Sequence, residues 1–244
     1  MLVRFVGSGD AFGSGGRFQT CIWVQDDGQT MLIDCGATSL AALRVRNLDP
    51  GDIDAVLVTH LHGDHFAGIP FLMLDAQFHH RTRPLLIAGP AGIRERVATC
   101  MEVMFPGSST VERRFETQFV ELAGDLTSVT IGKGSISAVE VIHASAAPPL
   151  AVRVSLGGKT LAYSGDTEWT DALLEIAQGA DLFVCEAYFF DKKIRYHLDY
   201  ITLREHLPRI RARRIMLTHM SADMLDHLAD VALPAAHDGL VLHL

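Results

Sequence analysis

The chain has 244 residues, 48% of them hydrophobic, and a formal net charge of −8. That length can bury a sizeable core as one large domain or two small ones, and the negative balance argues against a dominant nucleic-acid-binding surface. No apolar run approaches the ~18 residues of a membrane helix, the N-terminus lacks a secretory signal pattern, and the four widely spaced cysteines form no C-x-x-C motif. We therefore expect a cytoplasmic protein with buried, reduced cysteines.

Short runs of β-branched and apolar residues alternate along the chain with segments of helical periodicity. The predicted strands cover residues 2–6, 21–25, 30–34, 55–59, 85–88, 118–122, 128–131, 136–142, 151–155, 160–164, 181–185, 214–218 and 239–243. The predicted helices cover residues 39–46, 66–79, 89–104, 170–178, 202–210 and 222–229. The first half starts with consecutive strands and then mixes strand and helix, and the second half repeats this order from about Glu116. This order predicts an α/β fold, a four-layer αββα sandwich of two facing mixed β-sheets flanked by helices.

Directly after predicted strand 55–59 the sequence reads His60-Leu61-His62-Gly63-Asp64-His65. Imidazole and carboxylate are the usual ligands of zinc and of other borderline divalent ions. Gly63 frees the turn into the next helix, and the small residues Ala67 and Gly68 let that helix start close to the strand end. His60 and His62 can face one ion, and Asp64 and His65 can face a second ion beside it.

Four further strand-like runs end in a potential ligand: Asp34, His143, Asp166 and His219. A single strand-end Asp or His is usually a turn or cap residue, but four of them together with the His cluster fit one site at the edge where strands terminate. We expect His143, Asp166 and His219 to be ligands. For Asp34 three roles stay open: ligand, orienting partner of an imidazole, or turn residue.

The T-H-x-H-x-D-H core, the later strand-end His, the S-G-D-T segment and the late L-T-H resemble the metallo-β-lactamase fold superfamily of metallohydrolases. The opening segment, residues 6–11, and the closing segment, residues 236–240, resemble its ribonuclease Z-like branch. The likeness covers nearly the whole chain, and we expect one domain over residues 1–244. The resemblance implies one metal held by His60, His62 and His143. It implies a second metal held by Asp64, His65 and His219, with Asp166 bridging both.

Two divalent ions, zinc first with manganese or iron as alternatives, can share a hydroxide as nucleophile and clamp a phosphoryl or carbonyl oxygen. The redox-active flavodiiron relatives place a Glu where this chain has His62, and β-lactamases with a Cys ligand lack the S-G-D-T bridge. The resemblance therefore favours hydrolysis by attack of metal-bound hydroxide, and it makes antibiotic hydrolysis an unfavoured activity. Asp64 belongs to the expected catalytic residues as well as to the ligands.

A proton must also reach the leaving group. Residues 185–188 and 196–200 are similar to the H-E-A-T and H-S-T segments of ribonuclease Z, where a loop His acts as general acid or contacts the scissile phosphate. His197 takes that position here, and Glu186 could orient it. The chain departs from the family at Cys185 (His expected), Tyr188 (Thr expected) and Leu198 (Ser expected), which puts the substrate in doubt more than the role.

Only 22 residues separate His143 from Asp166, too few for the basic arm that ribonuclease Z inserts between these positions. The basic run from Arg209 to Arg214 is typical of a solvated helix end. We therefore expect a phosphodiesterase for a small or nucleotide-like phosphodiester. We expect a small-molecule ester substrate, no strong nucleic-acid binding, no membrane partner and, by family analogy, a homodimer. Two alternatives stay open: a lactonase or thioesterase with the same metals, and a non-catalytic metal-binding member of the fold.

Overall fold

The structure, a computed structural model, describes residues Met1 to Leu244. Strands form at all the predicted runs, each within two residues of the predicted bounds. They are β1 (Leu2–Gly7), β2 (Cys21–Asp26), β3 (Gln29–Ile33), β4 (Ala55–Leu57), β5 (Leu85–Gly89), β6 (Thr117–Glu121), β7 (Val129–Ile131), β8 (Gly134–Glu140), β9 (Leu150–Leu156), β10 (Lys159–Tyr163), β11 (Leu182–Glu186), β12 (Ile215–Thr218) and β13 (Val241–His243).

The helices are α1 (Ser39–Val45), α2 (Gly63–Phe66), α3 (Ile69–Phe78), α4 (Ile93–Met104), α5 (Ala172–Ala177), α6 (Tyr200–His206) and α7 (Ala222–Asp226). Short 3₁₀ turns lie at Ser14–Gly16, Pro50–Asp52, Ser108–Thr110, Leu207–Arg209 and Leu228–Asp230. The longest helix, α4, has 12 residues, and no helix combines the length and the apolarity that crossing a bilayer requires.

Two mixed sheets build the fold, which confirms the predicted class. One has the strand order β13-β1-β2-β3-β4-β5-β6 and the other β12-β11-β10-β9-β8-β7. Strands β3 to β6 run parallel to one another, as do β10 to β12, while the remaining neighbours are antiparallel. The carboxyl ends of the parallel strands therefore meet at one edge, where ligands usually bind in α/β sheets.

Three apolar clusters separate the four layers. Alternate residues of the facing strands, such as Phe5, Ile33 and Val152, pack between the sheets. The opposite face of the first sheet packs against α1, α3 and α4 through residues such as Leu43 and Val97. The outer face of the second sheet packs against α5, α6 and α7. Each sheet is thus buried on both faces, which explains its nearly continuous apolar strands.

The division of the chain into two halves differs from the prediction. Strand β6, expected to open the second half, lies parallel to β5 at the edge of the first sheet. Strand β13, from the C-terminal segment, lies antiparallel to β1 and completes the other edge of that sheet. Element order alone could not assign these two strands, because a strand at the edge of either sheet has the same apolar alternation.

The predicted helix 66–79 is two helices, α2 and α3, separated at Ala67 and Gly68. A side chain at Gly68 would place its Cβ 2.2 Å from the carbonyl oxygen of Gly36, so the chain approaches the end of β3 as closely as glycine allows. Pro70 then occupies the first turn of α3. This close approach brings the start of α2, which carries Asp64 and His65, against the strand ends.

Candidate metal centre

The candidate site lies just beyond the carboxyl ends of β3, β4, β8, β10 and β12. His60 follows β4, His143 follows β8, and His219 follows β12 directly. Asp166 follows β10 in a sharp turn at Gly165, which has φ of +60° and whose Cβ would lie 2.8 Å from the carbonyl oxygen of Leu150. Glycine is needed there because L side chains rarely adopt this conformation.

The structure brings His60, His62 and His143 into one group. His143 Nε2 lies 3.1 Å from His62 Nδ1, and the His60 ring centroid lies 4.8 Å from that of His62 and 4.7 Å from that of His143. One nitrogen from each of the three rings lies within 4.8 Å of the others. Three imidazole nitrogens converging on one point form a suitable set for a borderline divalent ion.

A second group contains Asp64, His65, Asp166 and His219. His65 Nε2 lies 3.2 Å from Asp64 Oδ2 and 3.4 Å from Asp166 Oδ2. His219 Nε2 lies 3.1 Å from Asp166 Oδ2. The same Asp166 oxygen lies 3.8 Å from His60 Nε2, so this carboxylate stands between the two groups.

Two buried atoms between the two groups of ligands indicate a cation site. His60 Nε2 and Asp166 Oδ1 are both inaccessible to solvent and have no hydrogen-bond partner in the protein. A buried polar atom left without a partner costs about 1–3 kcal/mol. The donor set of imidazole nitrogens and carboxylate oxygens therefore fits a metal, since a bound cation would satisfy both atoms.

Protein groups on the far side of the rings fix their orientation. His65 Nδ1 lies 2.7 Å from Asp34 Oδ2, and Thr59 donates to the same carboxylate from its backbone nitrogen at 2.8 Å and from its hydroxyl at 2.9 Å. His143 Nδ1 donates to the carbonyl oxygen of Tyr196 at 2.7 Å. Of the three roles left open for Asp34, the geometry is that of an orienting partner, which leaves the other nitrogen of His65 free for the site.

Hydroxyl groups contact the remaining buried rings. Thr59 Oγ1 lies 3.1 Å from His60 Nδ1, and Thr20 Oγ1 lies 3.2 Å from His219 Nδ1. The backbone is also unusual here, since Asp34, Tyr196 and His219 have positive φ values of 57°, 72° and 56°. Such conformations cluster at functional sites, where the surrounding structure imposes them.

The charges of the two groups differ. Burial lowers the pKa of His60 well below its ordinary value, and the neighbouring His65 adds to the effect. Burial would raise the pKa of Asp166, but His219 and His65 hold it well below its ordinary value. Burial alone would lower the pKa of His219, but the charge of Asp166 outweighs it and raises that pKa to about 9. His60 is thus neutral, the form that binds metals, while Asp166 is ionised and attracts positive charge.

His197 and Glu186 lie next to these groups. Nδ1 of His197 donates a hydrogen bond to Oε1 of Glu186. Oε2 of the fully buried Glu186 accepts from the backbone nitrogens of Thr167 at 2.9 Å and Leu198 at 3.2 Å. Burial would lower the pKa of His197, but the hydrogen bond and charge of Glu186 raise it. The His197 side chain remains about a fifth exposed.

Aromatic neighbours set the plane of the His197 ring. The Tyr188 ring stacks on it at 4.5 Å between centroids, and the His143 ring meets it edge-on at 5.0 Å. Sequence reasoning missed the contacts made by Tyr188, the Tyr196 carbonyl, Thr59 and Thr20. Thr59 belongs to the T-H-x-H motif and could have been considered, but a backbone carbonyl that meets a distant ring leaves no sequence signal.

The chain is similar to known proteins over nearly its whole length. The family model described as "Anti-Pycsar protein Apyc1" matches residues 1–233. A ribonuclease Z from Anoxybacillus flavithermus is 26% identical over 288 aligned residues, which cover 95% of this chain and 92% of that protein. The short form of human tRNase Z superposes with a TM-score of 0.80 at 24% identity and covers 100% of this chain and 99% of its own. The metallo-β-lactamase fold protein YhfI from Bacillus subtilis has a TM-score of 0.80 at 21% identity, with 99% and 98% coverage.

These relatives contradict one expectation. We expected a small-molecule ester substrate and no strong nucleic-acid binding, but proteins similar over nearly the whole chain are named ribonuclease Z and tRNase Z, for action on RNA. The expectation rested on the short spacing between His143 and Asp166, which leaves no room for a basic arm, and on the net charge of −8, which is a sum over the whole chain. A sum does not describe the charge beside the site, where a few cations can bind phosphate.

The fold class and the ribonuclease Z-like resemblance are both confirmed. The family model covers nearly the whole chain, and the two facing sheets match those of metallo-β-lactamase fold neighbours. The chain therefore belongs to the anti-Pycsar protein Apyc1 family, as a ribonuclease Z-like metallohydrolase of the metallo-β-lactamase fold.

Proposed function

We propose that the protein is a phosphodiesterase that uses two divalent metal ions and acts on nucleotide-like phosphodiesters, RNA included. The observation that carries this proposal is the position of Asp166, whose Oδ2 lies within 3.8 Å of Nε2 of His60, His65 and His219. A carboxylate between two ligand groups is the arrangement expected of a bridge between neighbouring ions.

His60, His62 and His143 would hold one ion, and Asp64, His65 and His219 the other, with Asp166 shared. Two ions, when bound, supply Lewis acidity that activates water and neutralises charge on phosphoryl oxygens. The nitrogen-rich donor set favours zinc over magnesium or calcium, and manganese or iron would also fit.

The chain's own residues would handle the protons. Asp64, whose Oδ2 lies 3.2 Å from His65 Nε2, would accept a proton from the attacking water. Nδ1 of His197 is occupied by Glu186, so Nε2 is the atom that would donate a proton to the leaving oxygen. Glu186 would act by positioning this ring, because its own carboxylate is buried and held by backbone nitrogens.

The experiment compares substrate classes on metal-replete protein. Bis(4-nitrophenyl) phosphate should be cleaved far faster than 4-nitrophenyl phosphate, because the metals and one acid suit a singly charged diester. Elemental analysis should find close to two metal ions per chain, and Asp166→Ala should lose metal at one or both positions. Dominant activity on lactones or thioesters with diesters untouched, or folded protein that takes up no metal on titration, would overturn the proposal.

A further inference from the structure

The loop from Phe189 to His197 connects β11 to α6 and carries His197 at its end. Its C-terminal end is attached to the site at Tyr196. The backbone nitrogen of Tyr196 donates to Glu168 Oε1 at 2.7 Å, and its carbonyl oxygen accepts from His143 Nδ1 at 2.7 Å. The part of the loop just before His197 is therefore held next to His143.

The loop has the opposite charge to the rest of the chain. It contains Lys192, Lys193 and Arg195 against one carboxylate, Asp191, a net charge of +2 in a chain whose net charge is −8. All three cations are exposed, and none has a carboxylate oxygen within 4.0 Å. The chain's other lysines, Lys133 and Lys159, are both paired with aspartates.

Aromatic rings contact two of these cations. The ammonium group of Lys192 lies 4.8 Å from the centroid of the Phe189 ring, and the guanidinium of Arg195 lies 4.9 Å from that of Tyr196. Cation–π contacts of this kind restrict long side chains without neutralising their charge. Two of the three cations are thus restricted by aromatic rings, and none of the three is paired with a carboxylate.

A cavity of about 200 Å³ joins one of these cations, Lys193, to His197, and Ile194 and Trp169 also line it. The two carboxylates in its lining, Glu168 and Asp199, accept hydrogen bonds from the backbone nitrogens of Tyr196 and Thr202. Whole-ligand pockets usually measure ~300–1,000 Å³, so this cavity fits one part of a larger molecule. A chain that enters at His197 and passes through it reaches Lys193.

We propose that Lys192, Lys193 and Arg195 hold a single-stranded oligonucleotide beside the site through phosphates that flank the one being cleaved. The inference deepens the proposed function and rests on it, because it assumes that the scissile phosphate lies at the metal centre. It assigns to this short loop the contacts to the oligonucleotide backbone that an inserted basic arm would otherwise make, since this chain has no such arm.

The test uses the triple variant Lys192→Ala/Lys193→Ala/Arg195→Ala on metal-replete protein. Its control, Arg96→Ala/Arg114→Ala/Arg211→Ala, removes the same charge from three exposed arginines outside the loop that likewise lack a carboxylate partner. Binding is measured by fluorescence anisotropy with a labelled phosphorothioate pentauridylate, which resists hydrolysis. Cleavage is measured as kcat/KM on the dinucleoside monophosphate UpU and on pentauridylate.

Loss of three phosphate contacts on a single strand should reduce the slope of log affinity against log salt by about 2. Between 50 and 200 mM salt, wild type should therefore lose about 20-fold more affinity than the triple variant. UpU has no flanking phosphate, so its kcat/KM should change less than about twofold while that of pentauridylate falls at low salt. The control variant should behave as wild type.

The two proposals fail in different ways. If wild type cleaves diesters but the triple variant binds pentauridylate with unchanged affinity and salt slope, the loop inference is wrong and the phosphodiesterase assignment stands. If the loop cations determine binding while no diester is cleaved, the loop inference stands and the proposed function is wrong. An equal fall for UpU and pentauridylate would also overturn the loop inference, because the cations would then act on the scissile phosphate itself.

Discussion

Asp34 Oδ2 lies 2.7 Å from His65 Nδ1, and both side chains are fully buried. We expect Asp34→Asn to weaken metal binding by about 10–100-fold, because the charge that orients this ring and strengthens it as a ligand is lost. Competition with a chromophoric chelator measures the affinity. Asp75→Asn, which removes a surface ion pair with Arg44, is the control. Unchanged metal affinity in Asp34→Asn would show that the ring is held by packing alone.

The role of His197 can be tested through the leaving group. General acid assistance is worth ~10²–10⁴-fold, so His197→Ala should cost that much with UpU, whose leaving group is an alkoxide. The loss should be much smaller with bis(4-nitrophenyl) phosphate, since nitrophenolate departs without a proton.

Metal content in this variant should stay at the wild-type value, because His197 is outside the proposed ligand set. His79→Ala, a change at an exposed imidazole, controls for loss of a histidine. Equal losses on both substrates would assign His197 to substrate positioning, and loss of metal would make it a ligand.

Asp238 connects the two ends of the chain beside the site. Its carboxylate accepts from the backbone nitrogens of Ser8 at 2.9 Å and Phe18 at 2.8 Å. Asp238→Ala should lower the free energy of unfolding by about 3 kcal/mol, since both amides lose a charged partner. The melting temperature should fall by about 6–12 °C in calorimetry. Asp230→Ala, at an exposed aspartate, should change it little; an equal effect in both variants would refute the specific role of Asp238.

His227 gives a pH-dependent contribution to stability. Its Nδ1 lies 2.8 Å from the carbonyl oxygen of Asp223, and this hydrogen bond, with help from nearby aspartates, raises the pKa of His227 above its ordinary value. A raised pKa means that the stabilisation is fully present below the unfolded-state pKa of about 6.5 and is lost as the pH rises through the folded-state value.

Urea denaturation of wild type and His227→Gln should therefore show a larger stability difference at pH 6 than at pH 8.5. A difference that is the same at both pH values would mean that His227 contributes only through its stacking on Phe190. The contributions of other titrating groups to stability cancel in this difference, because both proteins contain those groups.

Local patterns in the sequence were enough to predict the strands and the meeting of their ends. The T-H-x-H-x-D-H motif and the strand-end residues His143, Asp166 and His219 are adjacent in the structure because parallel strands end at one edge. Their role as ligands remains a prediction that metal analysis must test. The helix boundary at Gly68 could not be predicted, since it depends on contact with the carbonyl of Gly36.

The long-range pairing of strands could not be predicted from the sequence for a related reason. Nothing local to β6 or β13 specifies which sheet edge it joins, because the alternation that buries one face suits either sheet. The expectation about nucleic acid failed similarly, since a summed charge does not tell where on the surface the charges lie. In each case the missing information is three-dimensional placement.

The bonds between Asp238 and Ser8 join residues 230 positions apart, and the Ser8 carbonyl in turn accepts from the backbone nitrogen of His219 at 3.2 Å. During synthesis, β1 therefore has one unpaired edge until β13 emerges, although β2 can already cover the other. An exposed strand edge invites association with other chains. We expect nascent chains to be prone to association until β13 pairs with β1, and the region around His219 to become ordered only after Asp238 has bound Ser8.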